Sequence, residues 1–311
     1  MINFACQLAH RLRCLSVFGT LILCMCQTAF AKELPITILL SSNESAYRQV
    51  AGYLQEHHLN HEDLTVVKAT NEYQSSGQES LIIAVGTYAL SVALSKTSDI
   101  PILATFIPRR SFEQLTSARG DRLQKIAAIY VDQPMDRQVK LIRTLLPKAN
   151  TISTLFGDSS VKEQVHLERA ALRFGLSVQS ATLSSEDNPV NTINPLIMSS
   201  DLFLAIPDQG AFNRATAKWS LYLSLKHKKP LIGFSEKFVE AGALAAVFST
   251  PDHIARQTHE WLSLFLNQEP LFNQAFPRYF DVKVNLSTAR SINIFTPSDA
   301  KIKAALEEVS L

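Results

Sequence analysis

The chain has 311 residues with 30 Lys+Arg against 28 Asp+Glu, and 46% of it is hydrophobic. That near-balance lacks the basic excess of a nucleic-acid binder or of a protein held on anionic membranes, so neither partner is expected. The length suits two α/β domains of ordinary size rather than one.

The first 31 residues stand apart. Arg11 and Arg13 open a charged, acid-free start, Cys14–Cys26 (CLSVFGTLILCMC) is uncharged and apolar, and Ala29-Phe30-Ala31 is a small-x-small pattern. This is the layout of a cleaved secretory signal, and the run is shorter than the roughly 20 apolar residues needed to span a bilayer. Leu23 and Met25 precede the last two cysteines where a lipid-attachment motif has Gly or Ala, so no lipid anchor is expected. All four cysteines (Cys6, Cys14, Cys24, Cys26) fall in this segment. Residues 32–311 therefore carry no thiol for catalysis, disulfides or zinc, and the expected location is the periplasm. Without Arg11 and Arg13 the charges stand at 28 against 28.

Strands and helices then alternate along the chain. Short apolar runs predict strands at 35–40, 64–68, 81–85, 102–106 and 126–131. Helices are predicted over 44–57 and 88–96. Pro134 opens a helix whose apolar face is Met135, Val139, Ile142, Leu145 and Leu146, and Pro147 stops it. A strand at 151–156 leads to Gly157-Asp158-Ser159-Ser160, where Ser160 and Glu163 form a capping-box pattern for a helix that leaves at Phe174-Gly175. Strands follow at 176–181, 201–206, 230–234 and 245–249, with helices over 211–226 and 238–244. Thr250-Pro251-Asp252 starts a last helix with a capping hydroxyl, a first-turn proline and an acid at the positive end.

Most strands are continuous apolar runs rather than alternating ones. That pattern belongs to parallel sheets covered by helices on both faces, and about ten strands divide more readily into two sheets of about five than into one. The expected fold is α/β, with two doubly wound lobes.

Ligands of open α/β sheets bind beyond the carboxyl ends of the strands. Those ends carry Ser42, Asn43, Thr87, Phe106, Ser159, Ser160, Asp208, Phe234 and Ser235. Hydroxyls, an amide, a carboxylate and aromatics can orient a small polar molecule without reacting with it. Asp208 suits a ligand amine. Ser159, Ser160 and Ser235 suit a carboxylate, and Phe106, Phe212 and Phe234 suit a stacking wall. Each also has an ordinary reading as a turn, a cap or core.

Other constellations carry less. His57, His58 and His61 with Glu62 and Asp63 read as a solvated helix end rather than a metal site. Ser159 to Lys162 fits Ser-x-x-Lys, but the companion motifs of that acyl-enzyme family are absent. No nucleophile elbow, zinc-protease motif or phosphate loop occurs, so no enzyme activity and no cofactor are expected. Glu236 and Glu240 read as a solvated helix face.

From Ile129 onward the chain resembles a known family. The matching stretches are Ile129–Pro134 with Arg137-Gln138, 141–147, 205–208 with Phe212-Asn213-Arg214, 230–235, 241–246, Ser249-Thr250-Pro251 with Arg256-Gln257, Val284-Asn285 and Ala289-Arg290-Ser291. They resemble the periplasmic-binding-protein-like substrate-binding components of ABC transporters, type I, the group that includes the tryptophan-binding lipoproteins of Gram-positive bacteria. Residues 33–128 match that family in layout alone. The resemblance implies two lobes, 32–131 with 250–281 and 132–249 with 282–311, joined by hinge segments near Asp132, Ser249 and Asp281. It implies a monomer that closes on a small-molecule ligand and meets an ABC permease in the inner membrane. An amino acid, a sugar acid and a nucleoside remain open as ligands, and a ligand sensor or assembly factor of the same fold remains the alternative to transport.

Overall fold

The computed structural model describes residues 34–57, 64–97, 99–118, 120–158, 160–184, 187–208, 210–269 and 274–307. The predicted signal segment and His58, Ser159, His61, Glu62 and Asp63 lie outside the described residues.

The continuous apolar runs become parallel strands. β1 (Ile36–Leu40), β3 (Leu81–Val85) and β5 (Ile126–Tyr130) are buried at every position, because helices cover both faces. With β2 (Leu64–Lys68), β4 (Ile102–Ile107) and β11 (Gln274–Ala275) they form a six-stranded parallel sheet in the order β11-β5-β4-β3-β1-β2. One face is packed by α1 (Ser45–His57), through Val50, Ala51 and Leu54, and by α9 (Pro251–Leu266), through Ile254, Ala255 and Leu262. The other is packed by α2 (Thr87–Lys96), through Ala89 and Leu90, and by α3 (Arg109–Thr116), through Phe112.

A second six-stranded sheet comprises β6 (Thr151–Phe156), β7 (Ser177–Thr182), β8 (Leu202–Leu204), β9 (Leu231–Gly233), β10 (Ala245–Phe248) and β12 (Asp281–Val284), in the order β12-β10-β9-β8-β6-β7. Its strands are parallel except β12, which runs antiparallel to β10. One hydrophobic core serves it. That core takes in Val139 and Ile142 of α4 (Met135–Leu145), Leu167 of α5 (Gln164–Arg173), Ile193 of α6 (Pro189–Ser199) and Leu223 of α7 (Arg214–Lys226). It also takes in Phe238 of α8 (Glu236–Glu240), Ala289 of α10 (Leu286–Ser291) and Ile302 of α11 (Asp299–Glu307). Edge strands β2 and β7 are the polar, partly exposed ones, as strands with one unpaired side should be.

The two sheets number twelve strands among the described residues, two more than the apolar runs predict, because β11 is only two residues long and β12 (DVKV) alternates charged and apolar residues instead of forming an apolar run. The expected two-sheet α/β fold is present. The chain passes between the sheets three times: β5 to α4, β10 to α9, and β11 to β12.

Local signals mostly act as read. Thr250 accepts from His253 N at 3.2 Å in a full capping box, and Gly175 leaves α5 at φ +67°. The box read at Ser160 does not form. Ser160 Oγ accepts instead from Gly157 N at 3.0 Å, three residues back, and Glu163 turns to another partner described below; the segment Val161–Glu163 is a 3-10 turn and α5 starts at Gln164.

Candidate ligand-binding cleft

A cleft of about 1550 Å³ runs between the two sheets. Residues from the first sheet's side, the second sheet's side and all three crossings line it, and most stand at carboxyl ends of strands, where the free ends of helices leave open crevices.

Each sheet reverses its winding once, between β1 and β3 in the first and between β6 and β8 in the second. Both reversal points are built on a glycine. At the first, a Cβ on Gly86 (φ +91°) would lie 2.6 Å from Ser41 Oγ and 2.7 Å from Tyr47 Cε1. Ser41 Oγ is there to accept Ala89 N at 2.9 Å, which anchors the N-terminus of α2 and presents Thr87 to the cleft. At the second, a Cβ on Gly157 would lie 3.0 Å from Asp208 Oδ2. Glycine thus lets the buried Asp208 carboxylate sit over the end of β6, where its Oδ1 accepts Gly210 N at 2.7 Å and Ala211 N at 3.2 Å.

Aromatic walls flank these polar points. Phe106, the next-to-last residue of β4, has φ +53°, at a register shift between Thr105 and Ile107, a conformation that is strained for a phenylalanine. It meets Tyr47 edge-to-face at 5.7 Å. Opposite, Phe234 lies 4.9 Å from Phe238, and Ser235 caps α8 by accepting Phe238 N at 3.3 Å. A serine hydroxyl that accepts from the backbone still has a proton to donate. Burial, then the charge of Glu44, pushes the Tyr47 phenol up, so it stays a neutral donor.

Of the residues read from sequence, Thr87, Phe106, Phe212, Asp208, Phe234 and Ser235 line this cleft. Ser42, Asn43 and Ser160 are not among the lining residues. Ser42 Oγ accepts Glu44 N at 3.2 Å as α1 begins, with Asn43 exposed beside it, and Ser160 is fully buried under Gly157. Ser159 lies outside the described residues. His57 stacks on Tyr53 at 3.9 Å, and its Nδ1 is 2.8 Å from Tyr53 O. Glu236 and Glu240 are exposed, both bonded by Lys283.

Sequence reasoning missed the charged pair that bridges the cleft. Arg109 and Arg110 open α3, on the first sheet's side. Arg109 bonds both oxygens of Glu163, at 2.7 and 2.6 Å, and Glu113 at 2.8 Å. Its guanidinium, pulled down by burial, is carried above its ordinary value by Glu163 and Glu113. Arg110 Nη1 stands 3.7 Å from Asp208 Oδ2. The available signal was Pro108 before Arg109, with Glu113 four residues on: a first-turn start and a helical ion pair.

The crossings are tied to one another. Arg137 Nη1 donates to Gln133 Oε1 at 2.7 Å and to Pro277 O at 2.9 Å, and its guanidinium lies 4.1 Å over the Phe280 ring. Gln133 Nε2 donates to Ser249 Oγ at 2.8 Å, which donates to Tyr279 O at 2.6 Å. One chain of bonds therefore touches all three connections. Burial brings the Arg137 guanidinium down to about 10.

Two sheets, three crossings and a cleft at the strand ends define a bilobal binding protein of the type I periplasmic-binding-protein class. The chain belongs to the ABC transporter substrate binding protein family, whose pattern matches residues 44–307. It is 24% identical over 173 residues to a tyrosine-binding protein of Clostridioides difficile, an alignment that takes in 55% of this chain and 50% of that protein. The chain thus spans about half the length of the curated relative it matches. Among solved structures, a ligand-free, open substrate-binding protein with adhesive properties from Clostridium difficile superposes with a TM-score of 0.69 at 19% identity, over 85% of this chain and 96% of that one. A Streptococcus pneumonia ABC domain in complex with L-Trp superposes at 0.61 and 18% identity, over 87% and 97%. At those identities the likeness is one of fold. No helix among the described residues is long and apolar enough to cross a membrane.

Proposed function

We propose that the protein is a periplasmic receptor, exported by the signal segment at residues 1–31, that captures an amino acid with an aromatic side chain between its lobes and hands it to an ABC permease. The observation that carries this reading is the composition of the cleft. A buried carboxylate, Asp208, stands on one side; Thr87 at the N-terminus of α2 stands on the other; and Tyr47, Phe106 and Phe234 are between and around them. A zwitterion needs an anion for its amine and donors for its carboxylate, and a flat apolar ring needs aromatic walls. The named ligands of two relatives, tyrosine and L-Trp, are of this class.

In this reading the two lobes rotate about the three crossings and close over the ligand, as bilobal receptors do. Isothermal titration of residues 32–311 with L-tyrosine and L-tryptophan tests it. Saturable binding is expected, with Asp208→Asn weakening it by roughly 10- to 100-fold, the equivalent of losing one charged hydrogen bond. No heat with any aromatic amino acid, and no small-molecule adduct in a native mass spectrum, would refute it.

A further inference from the structure

Arg110 takes part in no other ion pair among the described residues, and the one it has spans the cleft. Its guanidinium, 29% exposed, lies 3.7 Å from an Asp208 carboxylate that is wholly buried. That separation is within ion-pair range but beyond hydrogen-bonding reach. Its neighbour Arg109 differs sharply. Arg109 bonds Glu163 through both oxygens at 2.6 and 2.7 Å and Glu113 at 2.8 Å. Of two adjacent arginines, one is fixed by hydrogen bonds to two carboxylates and the other is held only by charge.

A buried carboxylate left without a counter-charge is costly, so an empty receptor whose ligand brings a cation has to find a substitute for it. We propose that Arg110 is that substitute: a tethered cation that balances Asp208 while the cleft is empty, and that the ammonium group of the ligand displaces. This rests on the amino-acid reading above and deepens it. Arg110 then sets affinity and selectivity by competition. It admits ligands that carry their own cation to Asp208 and gives no advantage to those that do not. Three features favour displacement over shared binding. Asp208 is fully covered, so an ammonium reaches it only by taking the place of something. Arg110 lines the cleft from the opposite lobe, with solvent to withdraw into. Arg109 and Glu163 hold the lobes together beside it, so the exchange of Arg110 does not release that neighbouring interlobe pair.

The test compares wild type with Arg110→Gln by isothermal titration with L-tyrosine, L-tryptophan and their des-amino analogues, 3-(4-hydroxyphenyl)propanoate and indole-3-propanoate. The expected result is at least a fivefold tightening for the two amino acids in Arg110→Gln, no gain for the analogues, and near wild-type behaviour in Arg110→Lys. Weaker binding of all four ligands would overturn the proposal and make Arg110 a carboxylate contact; unchanged amino-acid affinity would overturn it too. If neither protein binds an aromatic amino acid, the amino-acid reading falls. The pairing is then decided on ligand-free protein by a double-mutant cycle of Arg110→Gln and Asp208→Asn on the melting temperature. A combined loss smaller than the sum of the single losses supports the counter-ion role, and strict additivity overturns it.

Discussion

One guanidinium nitrogen of Arg109, Nη2, donates to both carboxylate oxygens of Glu163, at 2.7 and 2.6 Å, although Arg109 belongs to the helix after β4 and Glu163 to the turn after β6 of the opposite sheet. Both side chains are about 15% exposed. A mostly sheltered, charge-assisted pair of this kind is stronger than a surface ion pair, yet it lasts only while the lobes are together. It should therefore bias the protein toward closure. Glu163→Gln is expected to weaken ligand binding about tenfold, close to 1.4 kcal/mol, and to raise the radius of gyration of the ligand-free protein in small-angle scattering. An unchanged radius with unchanged affinity would show that the pair does not hold the cleft.

That pair was invisible in the sequence for a physical reason. Glu163 reads as the partner of Ser160 in a capping box, a local pattern with a local explanation. In the folded chain Gly157 N claims the Ser160 hydroxyl, and Glu163 is released to a partner 54 residues away. The fold itself was far more legible. β1, β3 and β5 are apolar throughout because both faces are covered, and burial of that kind is written into composition. The cleft was legible in part: Thr87, Phe106, Asp208, Phe234 and Ser235 follow from the rule that ligands meet strand ends. Tyr47, Arg109 and Arg110 sit in helices beyond those ends, and only the packing of α1 and α3 brings them in.

The hinge network yields a second prediction. Arg137 joins two crossings directly and the third through Gln133 and Ser249, and it lies over Phe280. Replacing it by methionine keeps most of its packing but leaves Gln133 Oε1 and Pro277 O without this donor. Stability should fall by about 2–4 kcal/mol in urea denaturation. Hydrogen exchange should quicken in 131–134, 249–250 and 276–280 together, because the three segments share one bonded chain. Faster exchange in one of them alone would argue against a common hinge.

Asp132 sits in the first crossing, and its Oδ2 accepts the backbone N–H of Arg109 at 2.5 Å. Burial pushes its carboxyl above the ordinary value, and the Arg109 N–H and the charges of Arg110 and Arg109 only partly offset that. The folded chain therefore keeps this proton over a range where the unfolded chain, titrating near 3.8, has lost it. Its contribution to stability is greatest below pH 3.8 and is lost as pH rises through the folded value. Asp132→Asn keeps an oxygen for the Arg109 N–H and removes the titration. The variant should equal or exceed wild type in stability at pH 7, and that advantage should shrink as pH falls toward 3. Urea midpoints at pH 3, 5 and 7 for both proteins check it; an advantage that grows on acidification would reverse the assignment.

Gly157 offers a test of the binding site that hardly touches the core. Its φ is ordinary, so alanine is not excluded by backbone strain, but the new methyl would lie 3.0 Å from Asp208 Oδ2, 3.2 Å from Oδ1 and 3.2 Å from Ala211 N. Something must give by a few tenths of an ångström. The Asp208 carboxylate, held by two backbone N–H bonds to its own loop, moves with that loop. Gly157→Ala should cost only about 1–2 kcal/mol of stability, the ordinary scale of overpacking. Binding should suffer more, with a loss of tenfold or greater for L-tyrosine or L-tryptophan, because charged recognition depends steeply on placement. Titration beside a urea melt separates the two effects. A loss of affinity no larger than the loss of stability would mean that the position of Asp208 over β6 is structural and that the ligand finds its anion elsewhere.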